Sequence, residues 1–300
     1  MNEIKQIDCK SREYPALLRQ IQDPPEILYY RGEWNPELFT NSASVVGSRK
    51  MTRYGATMTE RLVTGIAREG ITIVSGFMYG IDALAHESAV NAPGRTMAVM
   101  PCGIGRIHPE YQKKLYDRIL ETGGLILSEY PGDTPPALWT YPRRNRIVAG
   151  LSPLLLVIEA GLKSGALITA RIARKYNRKI YALPGPLTSS VSQGTALLIK
   201  QGAFLVTEES DILKEYGIFP GREMLKNTGK TKQGLNKLQR AILDQISREG
   251  MTADDISRAL SVPPSRIGAE LTVLTLKQKL SYQEGFYVLT VPSATGGVLC

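Results

Sequence analysis

Gly47, Ser48 and Arg49 directly follow SASVVG, an apolar run rich in β-forming residues. A glycine lets an anion approach the backbone, N–H groups at a helix start bind the anion, and a guanidinium offers two parallel hydrogen bonds. Because residues 52–55 open a helical pattern, these groups converge at the end of a strand. The pattern predicts a phosphate site, and the alternative is an ordinary strand-to-helix turn with a solvated arginine.

A second turn, at Ser75 and Gly76, follows the next apolar run and reaches the same predicted sheet edge. We place both residues in the predicted anion site. Asp82 either caps the following helix or contacts a ligand, and His86 lies one helical turn later. This spacing is compatible with acid–base chemistry, although a structural hydrogen bond is the more common reason for such a pair.

The stretch YPRRNRIVAGLS concentrates cations between a proline and a small apolar segment. Its residues suited to phosphates or bases are Arg143, Arg144, Asn145 and Arg146. Residues 143 and 146 share a face if the stretch is helical. Guanidinium groups so placed predict contacts with successive phosphates, and the alternative is an ion-pair network with Glu129 or Glu159. The local excess of positive charge favours phosphate contact.

Lys163, Ser164 and Gly165 form a further small-residue loop between an apolar run and a helix start. Backbone N–H groups in such a loop bind anions, whereas in the alternative Ser164 only caps the helix. The surrounding residues, 143–179, include nine Lys or Arg and a single acid, Glu159. We therefore place Lys175 in the predicted anion-binding set as well.

Three patterns that would indicate other chemistry are incomplete. The run Gly229-Lys230-Thr231 imitates the end of a Walker A loop but lacks that loop's first glycine and a preceding strand. Gly103 and Gly105 do not continue to the third glycine of a dinucleotide site. The three cysteines and two histidines have no paired metal-ligand spacing. We expect neither a cofactor nor a metal site.

The composition is that of an ordinary globular chain, with 43% hydrophobic and 22% charged residues among 300. A formal net charge of +9 indicates a polyanionic partner. No stretch approaches the ~20 apolar residues that span a membrane, and the first residues contain no apolar signal-peptide core. We expect a cytoplasmic protein without membrane insertion.

Seven short apolar runs alternate with helical patterns between residues 41 and 216. They are SASVVG, ITIVS, TMAVMP, LILSE, LLLVIE, KIYAL and AFLV. This alternation predicts a mostly parallel sheet with crossover helices, and seven strands exceed a minimal mononucleotide-binding unit. The predicted fold class is therefore α/β with an extended Rossmann-like fold. Residues 1–40 suggest an extended lead-in segment.

The sequence after residue 216 changes character twice. Residues 217–236 lose the apolar period and gain glycine, lysine and proline, which predicts a linker. Residues 237–300 then show three helical patterns followed by two β-rich runs. Three small helices and a hairpin predict a small C-terminal winged-helix domain.

Taken in order, these motifs resemble those of the DNA processing protein A family. They are VGSRKMTRYGA, SGFMYGIDALAH, AVMPCGIGRIHP, SEYPGDTPP, YPRRNRIVAGLS, VIEAGLKSGALITA and LPGPLTSSVSQGTALLIKQGA. The resemblance extends from about Tyr14 to Ile212, and its most specific parts are PRRNRIVAGLS and KSGALITA. By position, the family's phosphate-binding arginine falls on Arg49 and its second loop on residues 163–165.

The resemblance implies a function as well as a fold. Members of this family bind single-stranded DNA cooperatively as homodimers and load the RecA recombinase during natural transformation. We therefore expect a non-enzymatic protein that protects incoming single-stranded DNA, with RecA recombinase and a second copy of the chain as partners.

Two alternatives belong to other functional classes. A nucleotide N-glycosidase on a related Rossmann scaffold would need a glutamate after Gly-Thr for acid–base work, and Leu198 stands at that offset. A winged-helix transcription regulator would read bases from its recognition helix. The residues that it offers are mainly Ser265, Arg266, Glu270, Lys277 and Lys279, with many apolar positions between them.

Overall fold

A computed structural model of the chain describes residues 3–219, 235–246, 250–277, 279–283 and 285–289. The chain divides into two compact units, residues 1–220 and 221–300. Of the predicted linker, residues 220–234 lie outside the described residues. None of the helices in the described ranges is long and apolar enough to cross a bilayer.

The first unit is built on a nine-stranded sheet in the order β1-β2-β6-β5-β4-β3-β7-β8-β9. The strands are β1 (Lys5–Asp8), β2 (Ile27–Arg31), β3 (Ser42–Val46), β4 (Thr72–Ser75), β5 (Thr96–Val99), β6 (Leu125–Ser128), β7 (Leu154–Val157), β8 (Lys179–Ala182) and β9 (Phe204–Leu205). Strands β3 to β9 pair in parallel, whereas β1 pairs antiparallel with β2 and β2 antiparallel with β6. The mostly parallel sheet is as predicted.

Helices cover both faces of this sheet. They are α1 (Ala16–Arg19), α2 (Glu37–Thr40), α3 (Arg53–Arg68), α4 (Ile81–Asn91), α5 (Lys113–Glu121), α6 (Thr140–Leu151), α7 (Gly165–Lys175), α8 (Gln193–Lys200) and α9 (Ser210–Leu213), with 3₁₀ turns at Glu110–Gln112 and Lys214–Tyr216. Residues of α6, α7 and α8 pack in one apolar cluster with one face of the sheet, and residues of α3 and α4 pack in another. Coverage on both faces explains why strands β3 to β7 are buried along their whole length.

The direction of strand addition reverses at the centre of the sheet. The chain builds β3, β4, β5 and β6 outward on one side, returns through α6, and places β7 against the other side of β3. In doubly wound sheets the carboxyl ends of the two strands at such a switch point leave a crevice between them, and ligands bind there. The topology therefore directs attention to the segments that follow Val46 and Val157.

The segment predicted as a lead-in, residues 1–40, instead contributes two strands to one edge of the sheet. Tyr14 and Leu18 are buried in the core, and the Tyr14 hydroxyl donates a hydrogen bond to the Pro25 carbonyl at 2.9 Å. Strand β2 pairs with β6, about a hundred residues later in the chain. Because a pairing so distant in sequence leaves no local pattern, the sequence did not predict that residues 27–31 form a strand of the sheet.

The second unit contains α10 (Lys237–Ile246), α11 (Ala253–Leu260) and α12 (Pro264–Leu276), followed by β10 (Leu280–Gln283) and β11 (Phe286–Leu289). The two strands form an antiparallel hairpin, and Gly285 in its turn has a φ of +93°. Its small core consists of Ile242, Ile246, Ile256, Ile267, Leu271, Leu274 and Leu280. Three helices and a hairpin are the predicted winged-helix arrangement.

Candidate nucleic-acid interface

A cavity of about 920 Å³ opens at the switch point, beyond the carboxyl ends of β3 and β7. Its walls come from the loop after β3, the loop after β4, the first half of α6 and the start of α7. Of the thirteen predicted site residues, nine line it: Gly47, Ser48, Arg49, Gly76, Arg144, Asn145, Lys163, Ser164 and Gly165. The fold therefore brings four separate sequence motifs to one crevice.

Arg49 is exposed at the cavity, where two aromatic rings flank its guanidinium. The Cζ atom lies 5.5 Å from the ring centroid of Tyr79 and 5.4 Å from that of Tyr141. Contacts with ring faces hold the guanidinium by cation–π attraction, and they do not engage its N–H donors in hydrogen bonds. These donors stay available to an anion in the cavity.

The turn that carries Arg49 is closely packed. A Cβ on Gly47 would lie 2.6 Å from Cγ1 of Ile81, so a glycine is required where α4 approaches this turn. The Ser48 side chain is buried, and its Oγ accepts a hydrogen bond from the backbone N–H of Lys50 at 3.0 Å. The packing therefore fixes the backbone from which Arg49 and Lys50 project.

Arg144 is the buried cation of the cavity wall. Its Nη1 donates to the carbonyls of Gly76 and Val99, and its Nε donates to Oδ1 of Asn145 at 3.2 Å. Burial lowers the pKa of Arg144 to about 10 and raises the pKa of the neighbouring Asp82, because both charged forms lose hydration. Arg144 therefore remains charged at neutral pH, and its hydrogen bond to the Gly76 carbonyl holds the loop after β4 in place.

The start of α7 is open to the cavity. Ser164 is the N-cap, and its Oγ accepts a hydrogen bond from the N–H of Ala166 at 3.2 Å. No atom beyond its chain neighbours would lie within 4 Å of a Cβ on Gly165, and Lys163 is exposed beside it. Ser164 thus both caps the helix and lines the cavity, where the N-terminal dipole of α7 favours an anion.

The start of α3, by contrast, already holds a carboxylate. Glu159 is 2% exposed, and its Oε2 accepts a hydrogen bond from the Thr52 N–H at 2.9 Å while its Oε1 accepts one from the Thr52 hydroxyl. Gly55 leaves the room that this carboxylate needs. The Thr52 N–H therefore binds Glu159, and the Gly55 N–H donates to the Thr52 hydroxyl at 3.1 Å, so, contrary to expectation, these two amides at the start of α3 are not free for a phosphate.

Arg143 and Arg146 also depart from the prediction. Arg143 donates from Nε and Nη2 to the two carboxylate oxygens of Glu129, both at 3.1 Å, and Arg146 donates from Nη2 to Glu129 and from Nη1 to the Asp23 carbonyl. Neither arginine lines the cavity. Their shared helical face turns toward Glu129, so the ion-pair alternative describes these two residues.

Ser75 and Lys175 lie away from the cavity for different reasons. Ser75 is fully buried at the end of β4, and its hydroxyl donates to the Val45 carbonyl at 2.6 Å. Lys175 is the last residue of α7, about 15 Å along the helix axis from its start at 1.5 Å per residue. Neither side chain therefore lines the cavity that gathers the other predicted residues.

His86 makes a structural hydrogen bond. Its Nδ1 lies 2.7 Å from the Thr96 hydroxyl, which itself donates to the Ile73 carbonyl at 2.7 Å. Complete burial lowers the pKa of His86 to about 3, so the ring is neutral at physiological pH. In the described parts of the chain, no three His, Cys, Asp or Glu side chains come together as a metal site.

Sequence reasoning missed several residues of the cavity wall. Lys50 and Tyr141 line the cavity, and the Tyr79 ring flanks Arg49 at its edge. Leu138 also lines it and is 91% exposed. The available signal was the proximity of Tyr141 to the arginine cluster, since aromatic rings interleaved with cations are typical of single-strand binding surfaces.

Comparison with known proteins agrees with this architecture. Residues 5–217 match the family model described as DNA recombination-mediator protein A, and residues 227–285 match the DprA winged helix domain. The second match confirms the winged-helix prediction.

Two curated relatives illustrate the match. Protein Smf of Escherichia coli is 43% identical over 208 residues, which are 69% of this chain and 55% of that protein. DNA processing protein DprA of Bacillus subtilis is 37% identical over 212 residues, 71% of each chain. The chain spans about half the length of the first curated relatives it matches, 55% and 53%.

Two solved structures share the fold of the first unit. DNA processing protein A of Streptococcus pneumoniae superposes with a TM-score of 0.66 at 37% identity, covering 71% of this chain and 74% of that one. The Helicobacter pylori protein, whose structure concerns its single-stranded DNA binding mode, has a TM-score of 0.64 at 31% identity, covering 71% and 95%. The family predicted from the motifs is thereby confirmed, and the chain belongs to the DNA recombination-mediator protein A family.

Proposed function

We propose that the chain binds single-stranded DNA in the switch-point cavity and acts in DNA processing during recombination. The observation that carries this proposal is a set of three cavity cations, Arg49, Lys50 and Lys163, that pair with no carboxylate among the described residues. Together with the open start of α7 they form a concave, positively charged site. Such a site suits a flexible phosphodiester backbone.

Within this proposal, the protein protects incoming single strands and loads the RecA recombinase during natural transformation. It acts in the cytoplasm by binding, without a cofactor and without turnover. Membership of the family and the DNA-binding relative from Helicobacter pylori support this role. A strand-exchange assay tests this role. Addition of this protein should accelerate RecA nucleation on single strands that are already coated with a single-strand-binding protein. An unchanged lag before strand exchange begins would contradict the loading role.

We propose further that the first unit forms a homodimer. Strand β9 stands at the end of the sheet and, in the described residues, pairs only with β8. Its Phe204 and Leu205 are 51% and 49% exposed, which is unusual for large apolar residues on an edge strand. Light scattering of a variant that ends near residue 229 should give a dimer, and a strictly monomeric, folded variant would argue against this interface.

The central test is a fluorescence anisotropy titration of labelled oligo-dT and of a matched duplex, each at several salt concentrations. Affinity for the single strand should exceed affinity for the duplex and vary little with base composition. The logarithm of the binding constant should fall linearly with the logarithm of salt concentration, because phosphate contacts release counterions. Equal or tighter duplex binding would contradict the proposed function.

The winged helix gives a clear contrast. On α12, the apolar Val273 and Leu276 are 36% and 80% exposed, and the exposed Ser265 and Arg266 are among few polar groups that could read bases. Deletion from about residue 230 onward should therefore leave single-strand affinity within about twofold of the full chain. Loss of binding in a folded truncation would move the DNA site to the second unit and favour a regulator.

The N-glycosidase alternative has a weak structural basis. Leu198, at the position where that enzyme class needs a glutamate, is buried on α8 at 5% exposure. We expect no hydrolysis of nucleoside monophosphates, ATP or DNA by the purified protein. Reproducible turnover that disappears in a cavity variant would contradict a purely binding role.

A further inference from the structure

The cavity arginine depends on a second layer of side chains. Arg49 is exposed, and no carboxylate in the described ranges anchors it, so its orientation rests on the rings of Tyr79 and Tyr141. A free arginine side chain has several rotatable bonds, and ordering them upon binding opposes affinity. Whatever fixes these rings therefore preorganises the cation.

Tyr141 is itself held by a specific hydrogen bond. Its hydroxyl lies 2.8 Å from Nε2 of His108, and the two rings meet edge to face with centroids 6.1 Å apart. His108 comes from the loop that precedes α5, whereas Tyr141 is the second residue of α6. The bond thus connects this loop to the first turn of α6, 33 residues apart in the chain.

The charge state of His108 suits this role. Burial, together with the cations Arg106, Arg144 and Arg49, lowers the pKa of His108, and the carboxylate of Glu110 opposes the shift. The imidazole is therefore neutral at physiological pH. A neutral ring has one donor and one acceptor nitrogen, so Nε2 bonds the Tyr141 hydroxyl as donor or as acceptor according to the tautomer.

We propose that His108 is a positioning residue for single-strand binding, which fixes the Tyr141 ring against Arg49 and so orients the guanidinium toward the cavity. This inference rests on the proposed function, because the affinity it affects is that of the cavity for DNA. His108 does not line the cavity. It acts through Tyr141.

Removal of the Tyr141 hydroxyl is the direct test. Tyr141→Phe keeps the ring beside Arg49 but deletes the bond to His108. Oligo-dT affinity should fall about fivefold, the effect of one neutral hydrogen bond worth about 1 kcal/mol. Tyr111→Phe is the matched control, since Tyr111 is 72% exposed, lies three residues from His108 and does not line the cavity. Its affinity should equal that of the wild type.

Substitutions of His108 separate positioning from general packing. His108→Ala should weaken binding about fivefold, whereas His108→Gln retains an acceptor and should recover most of the affinity. The double variant His108→Ala/Tyr141→Phe should be about fivefold weaker than wild type, not twenty-fivefold, because both changes break the same bond. Additive losses, or a Gln variant as weak as the Ala variant, would overturn the proposal.

The Arg49→Ala background distinguishes this inference from the proposed function. In that background Tyr141→Phe should have no further effect, because the residue it positions is gone. If Arg49→Ala lowers affinity but Tyr141→Phe in the wild-type chain does not, the cavity is correct and the positioning role of His108 is wrong. If Arg49→Ala binds oligo-dT as tightly as the wild type, the cavity itself is wrong and the inference falls with it.

Discussion

Helix α6 carries three arginines close together in the sequence, and their side chains make two different kinds of contact. Arg144 enters the cavity wall, whereas Arg143 and Arg146 turn to the opposite side and share the Glu129 carboxylate. The side chain of Arg146 is 8% exposed and its charge is neutralised within the protein. Positive charge in a sequence therefore indicates a cation available to an anionic ligand only where the fold leaves that cation without an acidic partner.

The two helix starts at the switch point teach the same lesson. Both α3 and α7 follow central strands, yet Glu159 binds the N–H and hydroxyl of Thr52, the N-cap of α3, whereas the start of α7 lines the cavity. A carboxylate bound within the chain competes with a phosphate for the same donors and is always present at high effective concentration. The positions of Glu129 and Glu159 thus decide which cations and helix N–H groups are paired within the chain and which stay available to an anion.

Arg146 should give the largest effect, and the effect should be on stability. Arg146→Met removes the hydrogen bonds to the Glu129 carboxylate and to the carbonyl of the exposed Asp23, while Arg143 still pairs with Glu129. The free energy of unfolding should fall by about 2 to 4 kcal/mol in a denaturant titration, because two charge-assisted hydrogen bonds are lost. The folded fraction should bind oligo-dT with wild-type affinity. A stable variant that has lost DNA binding would reverse the assignment of the two faces of α6.

Arg49 should give the largest effect on binding. A charge-assisted contact contributes about 1.5 to 3 kcal/mol, so Arg49→Ala should weaken oligo-dT binding roughly ten- to more than a hundredfold. Arg49→Lys should recover only part of this, because lysine lacks the planar pair of donors. In the alanine variant, the plot of the logarithm of the binding constant against the logarithm of salt concentration should have a slope smaller in magnitude by about one, because one fewer counterion is released. Unchanged affinity and salt slope would refute the cavity.

Lys163 and Lys175 offer a matched pair at opposite ends of α7. Both are exposed, and each substitution by alanine removes one positive charge. Lys163→Ala should weaken oligo-dT binding by about three- to tenfold, since a lysine contributes a flexible point charge to the anion site. Lys175→Ala should leave affinity within about twofold. Equal losses would mean that net charge, not the cavity, determines binding.

Arg143 should give the smallest effect. Its side chain is 47% exposed and Glu129 keeps Arg146 as a partner, so Arg143→Ala should change the free energy of unfolding by less than about 1 kcal/mol. Oligo-dT affinity should also stay near that of the wild type. A tenfold loss of affinity would show that the outer face of α6 contacts DNA after all.

Much of the fold followed from local pattern. Strands β3 to β9 correspond to the seven apolar runs. Of these, β3 to β7 are apolar because they are buried along their whole length and are bounded by turns. Strands β1 and β2 were not predicted, since β2 joins the sheet through β6, about a hundred residues later, and β1 joins it only through β2. The winged-helix unit followed from helical period and a glycine turn.

The sequence by itself determined which residue types gather near the carboxyl ends of β3 and β7, since glycine turns and cations follow those strands in order. It could not decide which cations stay free. Arg143 and Arg146 reach Glu129 from the next helix, and the start of α3 reaches Glu159 across a hundred residues. Such pairings depend on the three-dimensional distance between side chains, and only the tertiary structure decides that distance.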